Sequence, residues 1–310
     1  MTSCSFAGEQ CNSSDFHWLW IYYYGNCWQF NSGINLANQK VNIKETNNGI
    51  DSGLEVSFNI LENKNIHSLF HSEGLIVFVT NHSHLPYVSD PYVFVKGGEK
   101  TFISVKRMFN SKYPYPYSEC VDLTSYSSDI HDLISSNRTY RQSDCFKLCR
   151  QKLYIENCGC NLYFDYLNIN PNARYCENST DYFCHLNVFY KYSRQECVRT
   201  SCPLECDSVH YDLSVTSLAY PSLQLYESQN DELKRNQTYE SFKASLIQFN
   251  VFYPSLEYTI IKESPKLTAL DLFGQIGGTL NIFVSLSIFT LFEMLEVVVL
   301  VLHALIFKKK

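Results

Sequence analysis

"DLFGQIGGTLNIFVSLSIFTLFEMLEVVVLVLHALIFKKK", residues 271–310, closes the chain, and its reading decides the fold. From Leu272 to Phe307 it reads as one long apolar helix that carries two carboxylates, Glu293 and Glu296. The 21 residues from Leu272 to Phe292 hold no charge, enough at ~1.5 Å per residue to cross a hydrocarbon core of ~30 Å. A carboxylate inside such a span costs at least ~2.5 kcal/mol, and intramembrane acids ordinarily face a bundle interior or a water path. At ~100° per residue, Gly274, Gly278, Asn281, Ser285, Glu293, Glu296 and His303 fall within roughly a third of the circumference. Phe283, Leu291, Val298 and Leu305 lie elsewhere, suited to lipid or neighbouring helices. Gly274, Gly277 and Gly278 also suit close helix packing, but packing has no use for the glutamates. One helix encloses no water, so the stripe implies several copies around an aqueous route, where rings of carboxylate attract cations.

Lys308 to Lys310 flank the apolar run and, by the positive-inside rule, place the C-terminus in the cytoplasm and the residues before 270 outside. A glycosyl-phosphatidylinositol signal is the rival reading of an apolar tail; the basic end, the length and the carboxylates argue against it. The net charge of −6 removes nucleic acid as a partner, since phosphate backbones demand a basic face. Thirteen cysteines and five sequons, at Asn12, Asn81, Asn137, Asn178 and Asn236, agree on an oxidising compartment. Zinc is the other reading of clustered cysteines, but Cys158-Gly-Cys160 is spaced too tightly for an ordinary knuckle and no His pair completes a site. An odd cysteine count leaves one without an internal partner, and the N-terminus "MTSCSFAGEQCNSSDF" has no export signal. Both features imply that a segment upstream is missing.

Strand-like runs are "LEVSFNI" (54–60), "GLIVFVTN" (74–81) and "TFISVKRMF" (101–109), rich in β-branched and aromatic residues. "YPYPYSEC" (113–120) is a stiff connector into a cysteine-dense block, 120–206, in which "DCFKLCRQKLYIENC" reads as a helix with Cys145 and Cys149 on one face. Beyond it come the strand "VHYDLSV" (209–215), the turn "YPS" (220–222), a charged helical stretch (227–245) and a strand-like run, 245–264, descending toward the membrane. These pieces predict an α+β fold: a central antiparallel sheet with attached helices, tethered to one C-terminal membrane helix. No nucleophile–base pair, metal cluster or phosphate loop appears, so no enzyme, cofactor or metal site is expected.

"CSFAGEQCNSSDF", "YGNCWQFNSG", "GLEVSFNI", "YPYPYSEC", "DCFKLCRQKLYIENCGC", "CPLEC", "YPS" and "DLFGQIGGTLNIFVSLSIFTLFEMLE" follow one another in this order. Together they resemble the epithelial sodium channel/degenerin family over nearly the whole chain. The resemblance implies a trimeric, sodium-preferring, amiloride-sensitive channel of the plasma membrane, with homologous subunits and lipid as partners. It divides the chain into a sheet and finger-like region (1–119), a disulfide-stapled thumb (120–206), a knuckle with returning palm strands and wrist (207–269), a pore helix (270–307) and a basic cytoplasmic end (308–310). It also implies the pairings Cys4–Cys11, Cys120–Cys206, Cys145–Cys202, Cys149–Cys197, Cys158–Cys184 and Cys160–Cys176. Cys27 stays single because its family partner follows a first membrane helix absent here, so the chain is expected to be an N-terminally truncated member that conducts nothing alone.

By the same resemblance, Ser285, Leu286 and Ser287 form the selectivity filter, with Gly278, Asn281, Glu293 and Glu296 along the pore. Leu286 is bulkier than the family's usual residue, and Asn281 stands where Gly is usual. Gly274 matches the degenerin position, where bulk holds the pore helices apart, and Tyr117 matches the aromatic at the thumb–wrist junction. The stretch after Cys184, "HLNVFYKYS", lacks the acids of acid-sensing members, which leaves a peptide or other ligand, force or constitutive opening as the stimulus. The competing class is a single-pass adhesion or receptor ectodomain whose helix is only an anchor, and such an anchor has no use for the stripe carrying Ser285, Glu293 and Glu296.

Overall fold

The computed structural model describes residues 1–21, 24–33, 39–60, 74–82, 84, 86, 90–121, 140–161, 174–192, 202–228, 237–284 and 288–307. The chain divides into two units, Met1–Lys262 and Glu263–Lys310.

In the first unit, strands β1 (Ser3–Phe6), β2 (Glu9–Gln10), β3 (Phe16–Ile21), β4 (Gly25–Phe30), β5 (Leu54–Asn59), β6 (Leu75–Phe78), β7 (Tyr92–Val95) and β8 (Glu99–Ser111) precede two helices, α1 (Gln142–Cys158) and α2 (Ser179–Tyr192). Strand β9 (Asp207–Ala219), short helices α3 (Leu223–Ser228) and α4 (Tyr239–Ser245), and strands β10 (Leu246–Phe252) and β11 (Tyr258–Lys262) complete it. The long strand β8 organises a seven-stranded sheet. One edge of β8 pairs antiparallel with the whole of β9, from Glu99↔Ala219 to Ser111↔Asp207. Its other edge takes β10 and then β11, both parallel, while β10–β5, β5–β1 and β1–β2 are antiparallel. The sheet is therefore mixed. The parallel pairs arise because β10 returns to β8 only after the helices and β9, a connection long enough for a crossover. Two hairpins, β3–β4 and β6–β7, stand apart from this sheet.

Alternation decides which face of the sheet is dry. Ile247 and Phe249 on β10, Val56 on β5, and Ile103 and Val105 on β8 are buried together with Val93 and Val95 of β7. Gln248 and Asn250 take the opposite phase, where Gln248 Nε2 donates to Glu55 Oε1 at 2.6 Å and Lys100 Nζ meets Glu55 Oε2 at 2.8 Å. The run 245–264 becomes two strands because Pro254 offers no N–H to the ladder. Gly97, ahead of β8, lies so close to the Ala244 carbonyl that an added Cβ would collide with backbone at the end of α4. Gly97→Ala is expected to destabilise the unit by about 1–3 kcal/mol, seen as a lower unfolding midpoint for the purified chain. An unchanged midpoint would mean that this contact relaxes freely.

The helical part is stapled. Cys158–Cys184 joins α1 to α2, Cys160–Cys176 closes the connection, and Cys145–Cys202 and Cys120–Cys206 fasten the block to the segment entering β9. Cys149 is also disulfide-bonded, and Cys197 lies outside the described residues. Gly159 ends α1 in the left-handed conformation (φ 65°), its N–H donating to the Ile155 carbonyl, which turns the chain toward Cys160. Between the helices, Tyr154 packs on the buried His185 ring at 4.5 Å.

The second unit holds α5 (Ala269–Val284) and α6 (Ile288–Phe307). Strands β1–β4 and β7 and helix α2 have no counterpart in the sequence reading, and the charged stretch 227–245 contains the last two residues of α3 and all of α4, on either side of residues outside the description.

Candidate pore segment

Helix α5 starts at a reciprocal cap. Asp271 N–H donates to Thr268 Oγ1 at 3.1 Å, and Thr268 N–H donates to Asp271 Oδ2 at 3.0 Å. The motif Thr-x-x-Asp carries this signal in the sequence, although the sequence reading passed over it. The helix then presents Gly274, Gly278 and Asn281 at spacings of four and three, one face of a 3.6-residue period. A Cβ added at Gly274, Gly277 or Gly278 meets nothing within 4 Å. Every described side chain of α5 is exposed, including Leu270 at 82% and Ile282 at 79%.

Helix α6 is more apolar. Its stretch Phe289–Phe307, 19 residues, is long and apolar enough to cross a membrane, and none of these residues is buried. At ~1.5 Å per residue it spans about 28 Å. An apolar surface this continuous exceeds what water-exposed monomers carry and calls for lipid or other helices around it. Glu293 and Glu296, three apart, share a face, and His303 lies seven residues beyond Glu296 near that line, its ring 4.2 Å from Phe307. The carboxylates fall in the first half of the span, about 6 and 10 Å along from Phe289. Ser285, Leu286 and Ser287 lie outside the described residues.

The remaining sites belong to the first unit. Tyr117 is exposed in the connector, edge-on to Tyr113 at 5.6 Å, with its N–H donating to the Pro114 carbonyl. Cys27 on β4 is the free cysteine among the described residues, and burial pushes its thiol up to about 11, which leaves it poorly nucleophilic. Asn12 and Asn178 are exposed, Asn81 is half-buried, and Asn137 and Asn236 lie outside the description. The stretch "HLNVFYKY" forms the second half of α2, and His185 there is held below its ordinary pKa by burial and by the Arg150 charge. Cys158 and Cys160 are consumed by disulfides, which removes them as thiolate ligands for zinc.

The amiloride-sensitive sodium channel family model matches residues 1–297, a span that includes both helices' polar stripe through Glu296. The chain belongs to the amiloride-sensitive sodium channel family. Among its relatives, the gamma subunit of the epithelial sodium channel of Neoceratodus forsteri is 28% identical over 96% of this chain and 45% of its own length. The gamma-2 subunit of Xenopus laevis is 27% identical, covering 96% of this chain and 45% of its own length. The beta subunit of Mus musculus is 24% identical, covering 96% of this chain and 47% of its own length. The chain thus spans about half the length of the curated relatives it matches.

Proposed function

We propose that the chain is a subunit of a trimeric, sodium-preferring, amiloride-sensitive cation channel of the plasma membrane. In this reading the disulfide-rich unit faces outward, α5 and α6 line the pore, and Ser285–Ser287 between them form the filter. The observation that carries it is the pair Glu293 and Glu296 on one face of a helix that is predominantly apolar and has no buried residue among those described. Carboxylates there gain nothing from lipid, whereas three copies facing a common axis concentrate cations in a hydrated passage. The small residues of α5 bring backbones close enough for constriction. The relatives are named as sodium channel subunits, which favours the same chemistry here. Tyr117, Gly274 and an extracellular peptide or other ligand enter the gating side of this proposal.

Accessibility tests it. In a Cys27→Ser background, Asn281→Cys and Leu280→Cys variants are expressed in oocytes, alone and beside epithelial sodium channel subunits. The background protein alone is expected to conduct nothing; beside those subunits it should add amiloride-blockable sodium current to theirs, and a charged thiol reagent should remove most of the added current with Asn281→Cys while leaving Leu280→Cys, on the opposite face, near full current. Equal effects at both positions, or no added current beside the subunits despite protein at the surface, would sink the reading.

A further inference from the structure

Strands β8 and β11 run parallel and leave the sheet at the same end, where Ser111 and Lys262 are their last paired residues. Strand β9 enters there too, at Asp207 opposite Ser111. From Lys262 only six residues, 263–268, lead to α5, a reach of at most about 20 Å at full extension. From Ser111 the chain runs past the end of the sheet into the connector "KYPYPYSEC", residues 112–120.

The connector is braced at both roots. Lys112 N–H donates to the Cys206 carbonyl at 2.9 Å, and Cys120 is bonded to Cys206. Inside it, Ser118 Oγ donates to the Tyr113 carbonyl at 2.6 Å and Tyr117 N–H to the Pro114 carbonyl at 3.1 Å, while Pro114 and Pro116 fix their own φ. A loop tied down this firmly for the sake of the unit's own packing would turn its rings inward. Instead Tyr113, Tyr115 and Tyr117 are all exposed, Tyr115 at 87%. Tyr117 stands edge-on to Tyr113 at 5.6 Å and steadies that ring.

We propose that Tyr113 and Tyr115 rest in the headgroup layer of the membrane that α6 crosses, so that the loop props the end of the sheet on the lipid surface. This rests on the reading of α6 as a membrane span with the disulfide-rich unit outside. Tyrosine suits that layer because its ring is apolar while its hydroxyl stays wet, and the layer adds about 5–8 Å on each side of the hydrocarbon core. Lys112 and Glu119 flank the rings with one charge of each sign, which matches a zwitterionic surface. Docking costs the loop little freedom, because backbone bonds and a disulfide already hold it.

Fluorescence quenching of the full chain in phosphatidylcholine vesicles tests the proposal. In a Cys27→Ser background, single Lys112→Cys, Leu218→Cys and Val298→Cys variants are labelled with a thiol-reactive fluorophore. Leu218 is exposed and pairs with Lys100, about 36 Å along β8 from Ser111 at 3.3 Å per residue. A headgroup-linked nitroxide is expected to quench the label at 112 at least about 3-fold more than the label at 218. Adding Tyr113→Ser with Tyr115→Ser should abolish that difference, whereas Tyr115→Trp should keep it. Equal quenching at 112 and 218, with the label at 298 quenched by acyl-chain bromine, would overturn the proposal and leave α6 a membrane span. A label at 298 untouched by the bromine would overturn both. Shielding of the label at 112 from aqueous iodide without headgroup quenching would mean that protein covers the loop, and would overturn the lipid assignment as well.

Discussion

Replacing both Cys145 and Cys202 by alanine is expected to lower the stability of the disulfide-rich unit by about 4 kcal/mol. The bond closes a sequence separation of 57 residues inside the larger loop of Cys120–Cys206, so without it the unfolded chain regains part of the freedom of a long loop. Its sulfurs are buried with Tyr140, and Phe146 and Cys149 pack against them, leaving no compensating hydration in the folded state. The purified chain should unfold about 10 °C lower than the unaltered protein. The corner Cys4–Cys11 bridges a separation of only 7, and its removal is expected to cost about 2 kcal/mol. Comparing the two double alanine variants in one unfolding series checks the cause as well as the size. Equal losses would mean that local packing around the sulfurs, and not chain entropy, sets their worth.

These bridges also show where sequence reading reaches its limit. That the cysteines would oxidise followed from sequons and a membrane helix, both local signals. Which sulfur meets which came only through family likeness, because spacing leaves the connectivity open. The membrane segment was legible for the opposite reason: hydropathy over about 20 residues is a property of the segment itself. Strands β5 and β8 were legible through their β-branched and aromatic residues, and β10 as part of the strand-like run 245–264, but the parallel register of β10 on β8 joins residues some 150 positions apart and has no local signature. Helix α2 escaped because the aromatics of "DYFCHLNVFYKY" do not mark its buried face: Tyr182, Phe183 and Tyr190 are exposed, and packing of Val188 and His185 against Tyr154 supplies the order that propensity does not. Asp90 and Arg141, 51 positions apart, are paired by the fold and carry no local signal that joins them.

The glutamates of α6 carry the largest expected functional effect. Glu293→Ala with Glu296→Ala should reduce sodium current per surface subunit about 10-fold at low ionic strength, since a ring of like charge raises local counter-ion concentration by that order or more. The loss should shrink in high salt, where screening leaves the charged pore little advantage over a neutral one. Asp at both positions keeps the charge on a shorter stem and should retain most of the current. Gln keeps the size and loses the charge, so it should behave like Ala. This pattern separates charge from fit: a packing role for the pair would make Gln benign and Asp harmful at any salt concentration. If the Ala pair conducted normally at low salt with equal surface protein, the carboxylates would not face the ion path. Their place in an apolar span would then need partners on neighbouring helices, because lipid offers a bare carboxylate nothing in return.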